Sequence, residues 1–310
     1  MKLPSYLTAK AESPLLIPTP RERLTSSPAV VLLFFLLVMS AANLGRSGVA
    51  RLAVALRPDG ITAADYMLVS LVATSVTVGA VLLYCLLGER RSLASLGFTR
   101  KRSASDYLTG LALGLLMFGA AVLLCVATGT VTLSLAAETP SVGLLLLFFG
   151  GFLIQGMSEE LLCRSFLMVS LSRSLPLWLC AVTNALLFSL IHLGNPGVSV
   201  FALVNIFLFG LFASLLTLRR GSVWMVGALH SMWNFAQGNL FGIPVSGLTG
   251  IPSPLRAELA DGGWQTTVNG GAFGLEGGLA VTAVMLVACA AVLLIPVRRG
   301  GTAQTWEARA

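Results

Sequence analysis

Residues 142–164 read VGLLLLFFGGFLIQGMSEELLCR, and the first 17 of them carry no charge. About 18–20 apolar residues cross the hydrocarbon core of a bilayer as a helix. A backbone in lipid must satisfy its own hydrogen bonds, which leaves helices and closed β-barrels, and this run is too long for a barrel strand. The segment therefore predicts a membrane-spanning helix that ends in two acids and a base.

The rest of the chain has the same character. Of its 310 residues, 56% are hydrophobic and 11% are charged, and the mean hydropathy is +0.87, whereas soluble domains carry roughly 25% charged residues. These values predict an all-α protein, a polytopic transmembrane helical bundle of about eight helices. The expected spans are Ala29–Leu44, Tyr66–Leu87, Tyr107–Ala127, Val142–Leu162, Leu175–Leu193, Val198–Leu218, Ser222–Leu240 and Gly274–Val297.

The basic residues between these spans predict the orientation. With both termini cytoplasmic, the cytoplasmic side carries 15 basic residues: Lys2, Lys10, Arg21, Arg23, Arg90, Arg91, Arg100, Lys101, Arg102, Arg173, Arg219, Arg220, Arg298, Arg299 and Arg309. The other side carries four: Arg46, Arg51, Arg57 and Arg256. This excess follows the positive-inside rule and predicts a multi-pass protein of the cell membrane. The net charge of +7 then reflects topology and anionic lipid, and no nucleic-acid partner is expected.

The expected domain organisation is one membrane domain, 29–297, between a disordered cytoplasmic tail, 1–28, and a short cytoplasmic tail, 298–310. The first span also has features of a cleaved signal peptide, although its preceding tail is long for that role. Residues 241–273 are rich in Gly and Pro and should lie outside as a lid or a connector. The five cysteines fall in or beside apolar spans without disulfide or metal spacing, so we expect them to be buried and inert.

Charged residues within a span cost roughly 2.5–3.5 kcal/mol each near the helix centre, so Glu159, Glu160 and Arg164 are the first candidates for function. Glu160 and Arg164 are four residues apart, which places their side chains on one face of the helix. Glu159 points about 100° away and has no obvious local partner. Such a carboxylate in a low-dielectric site can accept a proton near neutral pH. The alternative is a cluster at the membrane edge, from which Arg164 reaches water.

The only two histidines of the chain, His192 and His230, fall in or at the ends of predicted spans. Asn234 follows His230 by four residues and shares its face, and Asn184 and Phe188 share a stripe with His192. Each could be a structural residue of a helix. A site shared by His192 and Glu159 is possible only if the fourth helix extends past Arg164 or the fifth is displaced along the membrane normal.

Three motifs in consecutive spans give the chain a resemblance to the CPBP family of intramembrane proteases, also called the CAAX-protease and bacteriocin-processing, or Abi, family. They are Glu159-Glu160-x-x-x-Arg164, Phe188-x-x-x-His192 and His230-x-x-x-Asn234, and the stretch Arg91–Phe98 is similar to the segment that often precedes the family's core. The resemblance covers residues 89–240, which we expect to form the catalytic core.

The resemblance implies an endopeptidase with its site inside the membrane. It implies that Glu159 activates a water, that Glu160 and Arg164 support it, that His192 helps to hold the water, and that His230 and Asn234 stabilise the oxyanion. Glu159, His192 and His230 could also hold Zn²⁺ with an open position for water, and a metal-free route is equally allowed. The HEXXH signature of many zinc proteases is absent from the sequence.

The leading hypothesis is therefore an endopeptidase that hydrolyses membrane-associated or lipidated peptides in the bilayer. A proton-coupled transporter would also place acids and histidines inside spans, but we find no internal repeat. Two further hypotheses are a haem protein with His192 and His230 as axial ligands and a non-catalytic relative that gives immunity against a peptide toxin. The sequence does not identify the substrate.

Overall fold

The computed structural model describes residues 4–8, 15–18, 21–23, 27–57 and 60–295. Eight helices of 12 to 30 residues make up most of this part: α1 Pro28–Ala55, α2 Ala63–Gly88, α3 Ser103–Ala127, α4 Val142–Leu171, α5 Leu177–Leu190, α6 Val200–Arg220, α7 Trp224–Phe235 and α8 Leu279–Leu294. A π-helical segment, Ala236–Leu240, continues α7. The predicted all-α class is confirmed, and each predicted span overlaps one of the eight helices.

Length and composition suit several of these helices to a bilayer. Five of the described helices, α1, α2, α3, α4 and α6, are long and apolar enough to cross it, and α5 and α8 are shorter apolar helices. Their outward-facing side chains include large apolar ones, such as Leu116 at 67% exposure and Leu146 at 63%. An apolar exterior of this kind suits contact with lipid.

Short elements complete the described part. The strands β1 Val131–Leu135 and β2 Leu255–Leu259 form an antiparallel ribbon in which Val131 lies opposite Leu259. Short helices occupy Ser5–Thr8, Ala94–Leu96, Gly263–Asn269, Gly271–Phe273 and Leu275–Gly277. The ribbon, which the sequence did not predict, joins the α3–α4 connection to the α7–α8 connection.

The contacts between connections define two ends of the bundle. At the end that we call the ribbon end, the start of α2 meets the α7–α8 connection at Ala63 and Gly250. There, the backbone N–H of Gly247 donates to the carbonyl of Phe273 at 3.0 Å. At the opposite end, the basic end, the indole of Trp224 donates to the carbonyl of Thr99 at 3.0 Å. Successive helices therefore alternate in direction.

Small residues let α7 pack closely between α3 and α4. A Cβ added at Gly110 or Gly114 of α3 would lie 2.2 or 2.4 Å from a backbone oxygen of α7. A Cβ added at Gly156 of α4 would lie 2.5 Å from Oγ of Ser231 on α7. Because small residues allow helix backbones to approach in a membrane, these glycines bring α7 to the centre of the bundle.

The described parts of the N-terminal segment pack against the basic end, and the expected disordered tail, 1–28, stays a prediction. Leu15 and Leu16 are buried. Arg173 donates to the carbonyl of Leu16 at 2.6 Å and lies 3.7 Å from the carboxylate of Glu22. Residues 1–3, 9–14, 19–20 and 24–26, and the predicted C-terminal tail 298–310, lie outside the described residues.

The lengths of α4 and α5 allow Glu159 and His192 to share a site, because α4 extends past Arg164 as the sequence analysis required. Helix α4 has 30 residues and ends at Leu171, past Arg164. At about 1.5 Å per residue, this length places Glu159 well inside the bundle. Helix α5 has only 14 residues, so His192, just beyond its end, also lies within the depth that α4 spans.

Candidate functional site

The predicted ion pair of α4 is confirmed. Nη1 of Arg164 lies 3.1 Å from Oε1 of Glu160, and both side chains are fully buried. Nη2 of Arg164 donates to the carbonyl of Gly210 at 3.3 Å, and its Cζ lies 4.4 Å from the ring centroid of Phe188. The membrane-edge alternative is wrong, because Arg164 does not reach the surface. A guanidinium that is paired, hydrogen-bonded and stacked offsets part of the cost of burying its charge.

The segment that follows Glu160 is π-helical. It covers Leu161–Met168, and all eight of its residues are buried. Wide turns of this kind occur often at functional sites. Here the π-helical segment forms the floor of the site on the side of the basic end.

His230 lies between the two acids. Its Nδ1 is 2.8 Å from Oε1 of Glu160, and its Nε2 is 3.8 Å from Oε2 of Glu159. The ring is 5% exposed. Since a carboxylate only accepts hydrogen bonds, Nδ1 of His230 carries the proton and donates to Glu160. The pair of adjacent acids thus meets both nitrogens of one imidazole.

A second chain of hydrogen bonds holds the other oxygen of Glu159. Nδ2 of Asn234 donates to Oε1 of Gln155 at 2.9 Å, and Nε2 of Gln155 donates to Oε1 of Glu159 at 2.7 Å. Gln155 is not among the site residues predicted from the sequence. The sequence could have indicated Gln155, because a side chain four residues before Glu159 lies on the same face of the helix.

His192 reaches the site from the end of α5. Its Nδ1 donates to the carbonyl of Phe188 at 2.7 Å, which leaves Nε2 as the nitrogen with a lone pair. Its side chain and that of Glu159 line the same cavity. Asn184, on the same stripe of α5, instead donates to Oγ of Ser214 at 2.8 Å in the core.

One cavity of about 540 Å³ joins these side chains. Gln155, Glu159, His192, His230 and Asn234 line it, while Glu160 and Arg164 lie behind His230. All six residues predicted for the site therefore come together, drawn from α4, α7 and the end of α5. Residues of α1 and α2, outside the predicted core, close the opposite wall, among them Arg46 and Tyr66.

Zinc binding by Glu159, His192 and His230 is one of the two routes that the sequence allows. Within the described ranges, no group of three or more His, Cys, Asp or Glu side chains is placed to hold a metal ion, so these three side chains do not fit a three-ligand zinc site. The hydrogen bond from Nδ1 of His230 to Glu160 does not bear on this, because zinc-ligating histidines commonly donate their other ring N–H to a carboxylate. A metal assay tests the choice between the two routes.

The cysteines take no part in the site. All five, Cys85, Cys125, Cys163, Cys180 and Cys289, are free and buried, as the sequence predicted.

Comparison with known proteins finds a family model that matches the region of the site. Residues 141–236 match the family model described as type II CAAX prenyl endopeptidase Rce1-like. The family resemblance is confirmed. The matched range, shorter than the predicted core 89–240, contains α4, α5, α6, α7 and all of the predicted site residues. The Rce1-like family is a peptidase family, which supports a protease. No curated protein and no solved structure matches the chain.

Proposed function

We propose that the chain is an intramembrane endopeptidase that hydrolyses peptide bonds of membrane-associated or lipidated peptides, with Glu159 as the general base. The observation that carries the proposal is the position of Glu159. It borders a cavity of about 540 Å³, with Gln155 on Oε1 and His230 facing Oε2. Peptide hydrolysis needs a positioned base of this kind beside donors for the oxyanion.

The proton transfers follow from the side chains of the cavity. Glu159 takes a proton from a water molecule, and the water oxygen attacks the carbonyl carbon of the scissile bond. His192, whose Nε2 is left with a lone pair, helps to hold that water. When the C–N bond of the tetrahedral intermediate breaks, Glu159 returns the proton to the leaving amine.

His230 and Asn234 stabilise the oxyanion of the tetrahedral intermediate. Glu160 accepts from Nδ1 of His230, and in the doubly protonated ring Nε2 also donates. Asn234 uses one of its two amide hydrogens on Gln155 and keeps the other for the substrate. Donors fixed before the reaction stabilise the developing charge without reorganising.

Glu160 and Arg164 support the site without contacting the reacting atoms. Glu160 contacts His230, Arg164 contacts Glu160, and neither lines the cavity. Arg164 pairs with Glu160 and holds it in place, and Glu160 accepts the hydrogen bond from Nδ1 of His230 and orients its ring. They are positioning residues.

The test is cleavage by purified protein in detergent micelles. Two quenched fluorogenic peptides serve as probes, one farnesylated with a CAAX terminus and one without the lipid. We expect Glu159→Ala and His230→Ala to lower the rate by about 10²–10⁴-fold, as for loss of a general acid or base. The control is Gln265→Ala, in the Gly263–Asn269 helix. Equal cleavage by Glu159→Ala and the parent would end the proposal.

A further inference from the structure

We infer that the substrate is an extracytoplasmic peptide segment, which reaches Glu159 from the ribbon end between α1 and α2. This inference rests on the proposed function and adds the side of the membrane from which the enzyme takes its substrate. It depends on three observations: where the cavity opens, where the bundle is sealed, and how the basic residues are distributed.

The cavity occupies only the half of the bundle near the ribbon end. It is lined by the second half of α1, the first half of α2, the end of α5 and the α7–α8 connection. Specific lining residues at this end are Ala50, Tyr66, Asn195 and Leu248. Among the described residues, none from a connection of the basic end contributes to its lining.

A second cavity continues the first towards the surface. It has a volume of about 480 Å³ and lies between the end of α1 and the start of α2. Ser47, Ala50 and Tyr66 line both cavities. Tyr66 is 50% exposed. The shared residues mark an entrance between α1 and α2.

The path from the basic end is closed. The eight residues of Leu161–Met168 are all buried, directly behind Glu160. Beyond them, Arg91 donates to the carbonyls of Ser95 and Ser165 at 2.5 and 2.8 Å. A peptide coming from the basic end would have to displace this packed and hydrogen-bonded layer.

The charges identify the two ends with the two sides of the membrane. Among the described residues, ten basic side chains belong to the basic end: Arg21, Arg23, Arg90, Arg91, Arg100, Lys101, Arg102, Arg173, Arg219 and Arg220. The ribbon end has four: Arg46, Arg51, Arg57 and Arg256. By the positive-inside rule the basic end is cytoplasmic, so the cavity opens to the other side. A tail exposed only in the cytoplasm could not reach Glu159 by this path.

Single added cysteines test the side of access, because the five native cysteines are buried. Ser47→Cys places a thiol at the entrance, Thr139→Cys places one on the ribbon end away from the cavity, and Ser105→Cys places one at the basic end; all three positions are exposed. Intact expressing cells are treated with a membrane-impermeant maleimide. We expect labelling of Ser47→Cys and Thr139→Cys, and labelling of Ser105→Cys only after permeabilisation. Labelling of Ser105→Cys in intact cells, with labelling of Ser47→Cys and Thr139→Cys only after permeabilisation, would overturn the inference.

Cleavage by the labelled proteins tests the entrance itself. Each variant is purified from labelled and unlabelled cells and assayed with the fluorogenic peptide that the parent cleaves. The adduct should abolish cleavage by Ser47→Cys and leave that of Thr139→Cys unchanged. Unaltered cleavage by fully labelled Ser47→Cys would contradict the entrance. Failure of the proposed function is distinguishable, because the unlabelled parent would then cleave nothing, while the labelling pattern still reports the side.

Discussion

Nδ1 of His230 lies 2.8 Å from Oε1 of Glu160, and this contact joins α7 to α4 at the centre of the site. The neighbouring acid, Glu159, faces the other nitrogen of the same ring at 3.8 Å. Glu160 is fully buried with Arg164, whereas Glu159 borders the cavity. Two consecutive acids of the sequence therefore have different surroundings, and this is why we propose a chemical role for Glu159 and a supporting role for Glu160.

The first prediction separates these jobs by isosteric replacement. Glu159→Gln removes the base and leaves the fold unchanged, so cleavage should fall by about 10²–10⁴-fold with an unaltered melting temperature. Glu160→Gln leaves the Arg164 charge buried without its counter-ion. Breaking one partner of a buried pair costs about 3–5 kcal/mol, so this variant should also unfold at a lower temperature.

The two readouts are cleavage of the fluorogenic peptide and thermal unfolding in the same detergent. If Glu159→Gln destabilised the protein as much as Glu160→Gln did, Glu159 would be a structural residue. If Glu160→Gln kept its stability, the buried pair would have no role in holding the site.

The second prediction concerns Gln155, which links Asn234 to Glu159. Gln155→Leu has nearly the same size but cannot donate to Oε1 of Glu159. We expect kcat to fall by about tenfold, the effect of losing a hydrogen bond to a charged group, with KM nearly unchanged. Gln155→Glu should lower kcat further, because it places a second carboxylate beside Glu159.

A pH profile of kcat provides the matching control. If Gln155 positions and solvates the base, Gln155→Leu should move the acidic limb of the profile, and a merely structural residue would not. An unchanged profile together with unchanged kcat would contradict a role for the amide chain.

The third prediction concerns the guanidinium of Arg164. Arg164→Lys keeps the charge but loses the planar group that pairs with Glu160, donates to Gly210 and stacks on Phe188. Lys cannot replace an Arg that is stacked and multiply bonded, so stability and cleavage should both fall. Arg173→Lys, at the basic end and away from the cavity, is the control for cleavage. Full activity of Arg164→Lys would show that a positive charge without the planar guanidinium is enough to hold Glu160 for cleavage.

Local periodicity predicted the parts of the site that lie on one helix. The Glu160–Arg164 pair follows from the i, i+4 rule, and the spans follow from uncharged apolar runs. The position of His192 and Glu159 on one cavity did not follow, because it depends on the 14-residue length of α5 and the continuation of α4 to Leu171. Both are set by packing between helices. The β-ribbon was missed for the same reason, since its strands lie far apart in sequence.

The fourth prediction concerns metal. The proposed mechanism uses only side chains, and Glu159, His192 and His230 do not fit a three-ligand site. Cleavage should therefore survive dialysis against EDTA and 1,10-phenanthroline, and elemental analysis of the active protein should find no stoichiometric zinc. Loss of activity that added Zn²⁺ restores would instead support the metal-dependent route.

The fifth prediction tests whether the contact between α4 and α7 is set by glycine. A Cβ at Gly156 would lie 2.5 Å from Oγ of Ser231 and 2.8 Å from its backbone nitrogen, whereas one at Gly150, six residues earlier on α4, meets no atom of the described residues within 4 Å. Gly156→Ala should push α7 away, weaken the contact of His230 with Glu160, and cost about 1–3 kcal/mol as overpacking does. Gly150→Ala should leave cleavage and stability unchanged, since lipid-facing space accommodates the methyl group. The measurement is cleavage together with thermal unfolding of both variants. Equal behaviour of the two would mean that α4 and α7 can separate without moving His230, and the distances from His230 to Glu159 and Glu160 would then carry no mechanistic weight.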